Sequence, residues 1–322
     1  VRDVPVPEPG PGAVRVRIET IGVNYAEVLS RKGLYGWAPQ LPYVLGMEAF
    51  GRLDAIGPGV EGRRPGEPVI VGTQHGCYAE AVAVPAARAL PALPDFSPEE
   101  NASFAVNYLT AWVALVEMGR LRARDRVLVT AAAGGVGTAA VQIAHRHGAT
   151  VYGLAGSDEK LELVRRMGAS AALNYRAGHF EEAVRRLTDG RGVDLVLEVV
   201  GGEVYRQCLR LLAPFGRVVV AGFAGLDLQR WNPWSWWRTW RDIPRADVRA
   251  MLLRSYSVGS THLGYLLRDV DLLGRVWSDL VAFTREQGVR PVVGARFSLE
   301  DGAAAHALVE SRRSQGKVVL AV

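Results

Sequence analysis

The residues best suited to chemistry form one turn, Ala131-Ala132-Ala133-Gly134-Gly135-Val136-Gly137, which follows an apolar run at 126–130 and opens a helical pattern reaching His147. A strand that ends in a glycine turn and starts a helix collects free backbone N–H groups and the positive helix end at one point, where an anion is held. In the glycine frame of dinucleotide sites, Ala132 replaces the first glycine. Gly134 lets the backbone approach phosphate, and Gly137 lets helix and strand pack closely. The competing explanation is a tight βα turn with another ligand. The strand–turn–helix setting argues against it.

Which dinucleotide is bound depends on the end of the second strand, about 20 residues further on, where an NAD site needs an Asp or Glu for the ribose 2′-hydroxyl. This chain has Gly156-Ser157 there. Ser157 can donate a hydrogen bond, and Lys160, one helical turn on, suits a 2′-phosphate. Alone, Lys160 would read as a solvated helix lysine. It gains weight from the missing acid and from scarcity, since the only lysines are Lys32, Lys160 and Lys317. The expectation is NADP(H).

These residues need a scaffold. At 322 residues the chain exceeds the ~250–300 at which one core stops growing, so two lobes are expected. Residues 13–94 read as short strands punctuated by Gly and Pro, a rolled β lobe. Ser97-Pro98-Glu99-Glu100 is a capping box with proline at the first helical position, predicting a long helix through Val116. Strands at 126–130, 150–155, 171–174, 193–199 and 217–221 then alternate with helices at 158–167 and 180–188. That pattern predicts a doubly wound parallel sheet. The expected fold class is α/β, with domains at 1–106, 107–260 and 261–322. An edge strand near 255–259 predicts a homodimer paired through it.

Composition narrows the setting. With 49% hydrophobic and 22% charged residues the chain is that of a globular protein. The net charge of +5 is spread along it, so no nucleic-acid partner is expected. Cys77 and Cys208 are isolated thiols, which predicts a reducing, cytoplasmic setting. No signal peptide and no apolar run of ~18 residues is seen. The opening at Val1, already within a Pro-Gly-rich stretch, predicts an earlier strand before it.

Taken together, the residues resemble the quinone oxidoreductase branch of the medium-chain dehydrogenase/reductase superfamily over nearly the whole chain. The likeness rests on Pro-Glu-Pro-Gly-Pro-Gly at 7–12, Gly22-Val23-Asn24, Gly33-Leu34-Tyr35 and Leu45-Gly46-Met47-Glu48. It continues through the glycine turn with Gln142, Asn174-Tyr175-Arg176 and Gly190-Arg191-Gly192-Val193-Asp194. Within the branch, Trp236-Trp237-Arg238-Thr239-Trp240 and Thr261-His262-Leu263-Gly264-Tyr265-Leu266 are similar to the VAT-1 subgroup. The resemblance implies a GroES-like lobe built from both chain ends and a Rossmann lobe between them. It carries 2′-phosphate contacts onto Lys160, Tyr175 and Arg312. The rest of the dinucleotide falls to Thr110, Ala133, Val200, Gly222, Phe223, Ala224, Val258, Gly259 and Ser260. Zinc-dependent members carry a cysteine near Asn24 and Gly-His-Glu where this chain has Gly46-Met47-Glu48. Methionine is outside the usual ligand set, and no Cys–His cluster compensates, so no zinc is expected.

Without a Lewis acid, hydride transfer to a small, apolar, electron-poor acceptor (a quinone or conjugated enone) fits better than alcohol oxidation. Asn24 is a candidate donor to a substrate carbonyl or the nicotinamide. Tyr35 is a candidate proton or hydrogen-bond donor, and equally an aromatic wall. His75 and His262 read as packing histidines. An enoyl-thioester reductase shares the fold and differs only in its acceptor. Five of the eight tryptophans fall in residues 231–240, interleaved with arginine. A packed aromatic lid is the favoured reading. Peripheral membrane contact is the rival, and would suit an NADPH-binding protein with little turnover.

Overall fold

The computed structural model describes residues 2–225 and 232–322. Two compact units divide the chain: Val1–Asn107, Leu263–Asp279 and Arg290–Val322 form the first, Tyr108–His262 and Leu280–Val289 the second. In chain order the elements begin with β1 (Ala13–Val23), α1 (Tyr25–Arg31), β2 (Glu48–Ile56), β3 (Pro68–Gly72), β4 (Ala81–Pro85), β5 (Ala89–Pro91), α2 (Pro98–Ala102) and α3 (Ala105–Trp112). Next come β6 (Arg126–Val129), α4 (Gly135–Arg146), β7 (Thr150–Ala155), α5 (Leu161–Arg166), β8 (Ala171–Asn174), α6 (Phe180–Leu187), β9 (Val193–Glu198), α7 (Gly202–Arg210) and β10 (Leu212–Val220). The chain closes with α8 (Pro233–Asp242), α9 (Val248–Arg254), β11 (Ser257–Ser260), α10 (Leu263–Leu266), α11 (Val270–Gln287), β12 (Val293–Ser298), α12 (Gly302–Glu310) and β13 (Lys317–Ala321).

In unit one, seven strands form a sheet ordered β12-β13-β1-β2-β3-β5, with β4 also paired to β1. Period-two alternation along β1 turns Val14, Val16 and Ile18 inward to a core shared with Leu53, Val69, Val84, Val318 and Leu320. Each such side chain, once buried, contributes ~1.5–3 kcal/mol. Register then decides which polar residues meet. Val23 faces Val318 and Gly22 faces Glu48, so Asn24, Glu48 and Lys317 arrive at one end of β1.

The sheet of unit two is ordered β11-β10-β9-β6-β7-β8 and parallel at every pairing. Its central strands are mainly apolar, as burial on both faces requires; Val127, Leu128 and Val129 are all fully buried. The order reverses between β6 and β9, and ligands of such sheets bind at that switch point, beyond the strands' carboxyl ends.

The helix expected to run through Val116 is broken. Its start is as anticipated, with Ser97 Oγ accepting from the Glu100 N–H at 3.2 Å and Glu100 reaching back to the Ser97 N–H at 2.8 Å. Ser103 then turns its hydroxyl onto the Glu99 carbonyl at 2.6 Å, and the run splits into α2, α3 and a π-helical turn at Val113–Met118.

Candidate functional site

The glycine turn lies beyond β6, at the switch point. Ala131 adopts φ 46°, which lets its carbonyl accept the Gly134 N–H at 2.9 Å, while the Ala132 N–H bonds Leu154 on β7 at 2.8 Å. Gly134 is the N-cap of α4. A Cβ on Gly137 would lie 2.2 Å from the Ala131 carbonyl oxygen, so only glycine lets α4 sit this close to the strand end. The turn therefore presents the amides of a twelve-residue helix to an anion.

At the end of β7, a Cβ on Gly156 would meet the Tyr175 hydroxyl at 3.1 Å and Arg176 Nε at 3.4 Å. Tyr175 and Arg176 thus converge on Gly156, and the Arg176 guanidinium lies over the Tyr175 ring, 6.0 Å from its centroid. Burial and the neighbouring charge of Arg176 both hold Lys160 below its ordinary pKa. Two cations brought together at a half-buried place suit a doubly charged phosphate. Of the adjoining acids, Glu159 acts on Lys160 in the opposite sense, and Asp158 accepts from the Asn174 side chain at 3.0 Å. Arg176 is a member that sequence reasoning left out, although it adjoins Tyr175.

The remaining residues expected to line a dinucleotide follow neighbouring strands of unit two. Val200 succeeds β9. Gly222, Phe223 and Ala224 succeed β10, and the Ala224 N–H bonds the Val199 carbonyl at 2.8 Å. Val258, Gly259 and Ser260 lie in β11, opposite Val218, Val219 and Val220. Thr110 sits half-buried on α3. Arg312 belongs to unit one, after α12, with φ 58°.

Asn24 is nearly buried, and its surroundings assign its amide without ambiguity. Lys317 Nζ, a donor only, bonds Asn24 Oδ1 at 2.6 Å, so Nδ2 faces the Glu48 carboxylate at 3.1 Å and the Gly22 carbonyl at 3.4 Å. Both amide hydrogens are engaged. In this arrangement Asn24 has none for a ligand, contrary to the role expected from sequence. Lys317 also pairs with Glu48, whose other oxygen accepts the Val106 N–H at 2.9 Å. Beside this cluster, Glu27 accepts from the Met47 N–H at 2.7 Å, the Asn24 N–H at 2.8 Å and the Tyr78 hydroxyl at 2.8 Å. Burial pushes Glu27 upward, against the pull of these donors and Lys317. Tyr78 in turn lies 3.0 Å from His306 Nε2 on α12. Burial and the charge of Glu27 push Tyr35 up to about 12. Such a phenol donates a hydrogen bond readily and yields its proton reluctantly. Glu27, Tyr78, His306 and Lys317 were missed from sequence; the scarcity of lysine was the available signal for the last.

The packed aromatic lid is not what forms. On α8, Ser235 is buried, whereas Trp234, Trp236, Trp237 and Trp240 are 74%, 50%, 53% and 61% exposed. Arg241 lies over Trp237 and Arg245 over Trp240, at 5.3 and 4.1 Å. The helix turns a polar face inward and its aromatic residues outward; Trp231 lies outside the described residues. Among the described residues, no group of three or more His, Cys, Asp or Glu side chains is placed to hold a metal ion.

Residues 135–241 match the family described as zinc-binding dehydrogenase, and residues 10–95 the alcohol dehydrogenase GroES-like domain. The rat synaptic vesicle membrane protein VAT-1 homolog is 34% identical over 98% of this chain and 78% of its own length. A quinone oxidoreductase-like protein 2 homolog of Nematostella vectensis is 31% identical over 97% of this chain and 82% of its own. Among solved structures, the quinone oxidoreductase of Thermus thermophilus, also determined as its complex with NADPH, superposes with a TM-score of 0.80. It is 34% identical, covering 100% of this chain and 95% of that one. With relatives of this likeness along nearly its whole length, the chain belongs to the medium-chain dehydrogenase/reductase superfamily, close to the VAT-1 and quinone oxidoreductase-like homologues.

Proposed function

We propose that the protein is an NADPH-dependent, zinc-independent reductase acting on quinones or α,β-unsaturated carbonyl compounds. The observation that carries this is the gathering of Tyr175 and Arg176 at Gly156, with the charge of Arg176 acting on Lys160. When bound, NADPH supplies a hydride. The chain's own part is to hold the pyrophosphate on the amides of the glycine turn and the 2′-phosphate on Ser157, Lys160, Tyr175 and Arg176. Arg312 is a further proposed phosphate contact. Tyr35 stays protonated and stabilises a developing oxyanion by hydrogen bonding. Asn24 serves by fixing the Lys317–Glu48 cluster. Zinc independence is supported by the residues at the expected ligand positions. An amide oxygen bonded to Lys317 and a buried methionine thioether do not make a zinc site, and the cation there is the ammonium itself.

No helix among the described residues is long and apolar enough to cross a membrane. The two free, buried cysteines, Cys77 and Cys208, support a reducing, cytoplasmic setting. The strand β11 ends its sheet, and α9 just before it exposes Val248, Leu252 and Leu253, which supports a homodimer through that edge. The test of function is NADPH oxidation against quinones, enones and enoyl thioesters. Turnover with the first two supports the reading, and turnover only with thioesters moves the substrate class. Tight NADPH binding without turnover on any acceptor overturns it.

The outward tryptophans of α8 favour a second reading, an NADPH-binding protein that meets a lipid surface. Co-sedimentation with anionic vesicles, abolished by Trp236→Ala with Trp237→Ala, would support it.

A further inference from the structure

Glu198 ends β9 and is fully buried. Among the described residues no charged side chain takes part in holding it. Its carboxylate accepts the Val200 N–H at 2.8 Å and the Gly201 N–H at 2.9 and 3.0 Å, and Thr130 Oγ1 lies 3.5 Å away. The same turn is bound on its other side. The Val199 carbonyl accepts from Ala224 at 2.8 Å, and the Val200 carbonyl from Gly225 at 2.7 Å. Thr130, which follows β6, accepts the Val199 N–H at 2.9 Å. The turn that the carboxylate holds is thereby joined to the segments leaving β6 and β10, on both sides of the switch point.

We infer that Glu198 is a positioning residue for the dinucleotide: ionised, it holds the turn at residues 199–201, and through it residues 222–225, in the shape that receives the ligand. The inference rests on the dinucleotide reading of unit two. A buried carboxylate without a countercharge is costly, and its hydrogen bonds with backbone amides are strongest in the ionised form. Burial pushes Glu198 up to about 7, against the pull of the Gly201 and Val200 amides and the Thr130 hydroxyl. The titratable groups facing it are Tyr205 and Cys208 on α7, both pushed upward mainly by burial and in part by its charge, so both stay neutral. Below about pH 7 the group is protonated, and one oxygen carries a hydrogen where the carboxylate could accept an amide.

The test compares wild type with Glu198→Gln, which keeps the shape and removes the charge. Binding is measured with NADH as well as NADPH, since the 2′-phosphate titrates near pH 6. The expected result is a Kd about tenfold weaker in E198Q at pH 8, 1.4 kcal/mol on the usual conversion, with the two proteins converging by pH 6. Equal affinities at pH 8, or a deficit constant from pH 6 to 8, would overturn the inference. Thr130→Val is the second variant, should E198Q not fold. It should weaken binding less and move the pH profile upward, since the Thr130 hydroxyl helps hold Glu198 down; a flat profile in T130V counts against Glu198 as the titrating group. Amide exchange of Val200, Gly201, Ala224 and Gly225 in the ligand-free protein separates the two claims. If wild type binds no dinucleotide the functional reading fails, while pH-dependent protection lost in E198Q still upholds the anchor. Unchanged protection in E198Q refutes it.

Discussion

Replacing Lys317 by methionine takes the ammonium out of a cluster that water does not reach: Lys317 is 3% exposed and Glu48 0%. Glu48 would keep the Asn24 amide at 3.1 Å and the Val106 N–H at 2.9 Å, but lose the one cation bonded to it among the described residues. Asn24 Oδ1 would lose its donor. Removing one partner of a buried pair typically costs ~3–5 kcal/mol, because the other charge stays behind. Methionine fills nearly the volume of the lysine stem, so little is added by a cavity. Against a total of ~5–15 kcal/mol, the loss is about a fifth or more of the stability. The expected outcome is a melting temperature lowered by roughly 10 °C and a lower urea midpoint. Glu48→Gln in the same protein removes the stranded charge and should restore ~1.5 kcal/mol or more, a coupling that a double-mutant cycle reads directly. A K317M protein within ~1 kcal/mol of wild type would refute the reasoning, since no solvated ion pair is worth more than that. Strict additivity in the cycle would refute it equally.

Three further outcomes follow from the same geometry. Lys160→Ala should weaken NADPH by roughly 10–100-fold, the worth of a charge-assisted hydrogen bond, and leave NADH unchanged in parallel titrations; equal losses for both would remove the 2′-phosphate from that cluster. Because Tyr35 is held up at about 12, the rate profile should show no alkaline break from it below pH 10, and Tyr35→Phe should lower kcat without moving the profile. For Glu198, raised from 4.5 to about 7 in the folded protein, the sign is that the folded state binds more protons across this interval. Stability should therefore fall as pH rises from 4.5 to 7, by roughly 3 kcal/mol, and chemical denaturation of E198Q should lack that slope.

Unit two was legible because its signals are local. The strand, glycine turn and helix at residues 126–146 are contiguous, and the absent acid at Gly156-Ser157 sits a fixed distance beyond, so a spacing rule reaches both. Just before unit two begins, the expected long helix fails through a competing local bond: Ser103 bonds back to the Glu99 carbonyl, and the helix is cut although its capping box forms. Unit one is different in kind. Asn24, Glu27, Glu48, Tyr78, His306 and Lys317 come from five separate stretches of chain, and only sheet register brings them together. β1 must pair with β2 on one side and β13 on the other before Lys317 can reach Glu48. No periodicity or motif announces that meeting, so Asn24 read as a donor when its amide hydrogens were already committed. The same argument bears on α8. Its tryptophans looked like buried packing because aromatic residues usually are, yet Ser235 is the residue buried, and Trp234, Trp236, Trp237 and Trp240 are exposed. Of the two functional readings, the reductase rests on contacts within the second unit, whereas the lipid-surface reading rests on the exposure of the α8 tryptophans. Vesicle binding by W236A/W237A therefore tests the weaker link: unchanged co-sedimentation would leave α8 without a role in it, and leave the nucleotide chemistry untouched.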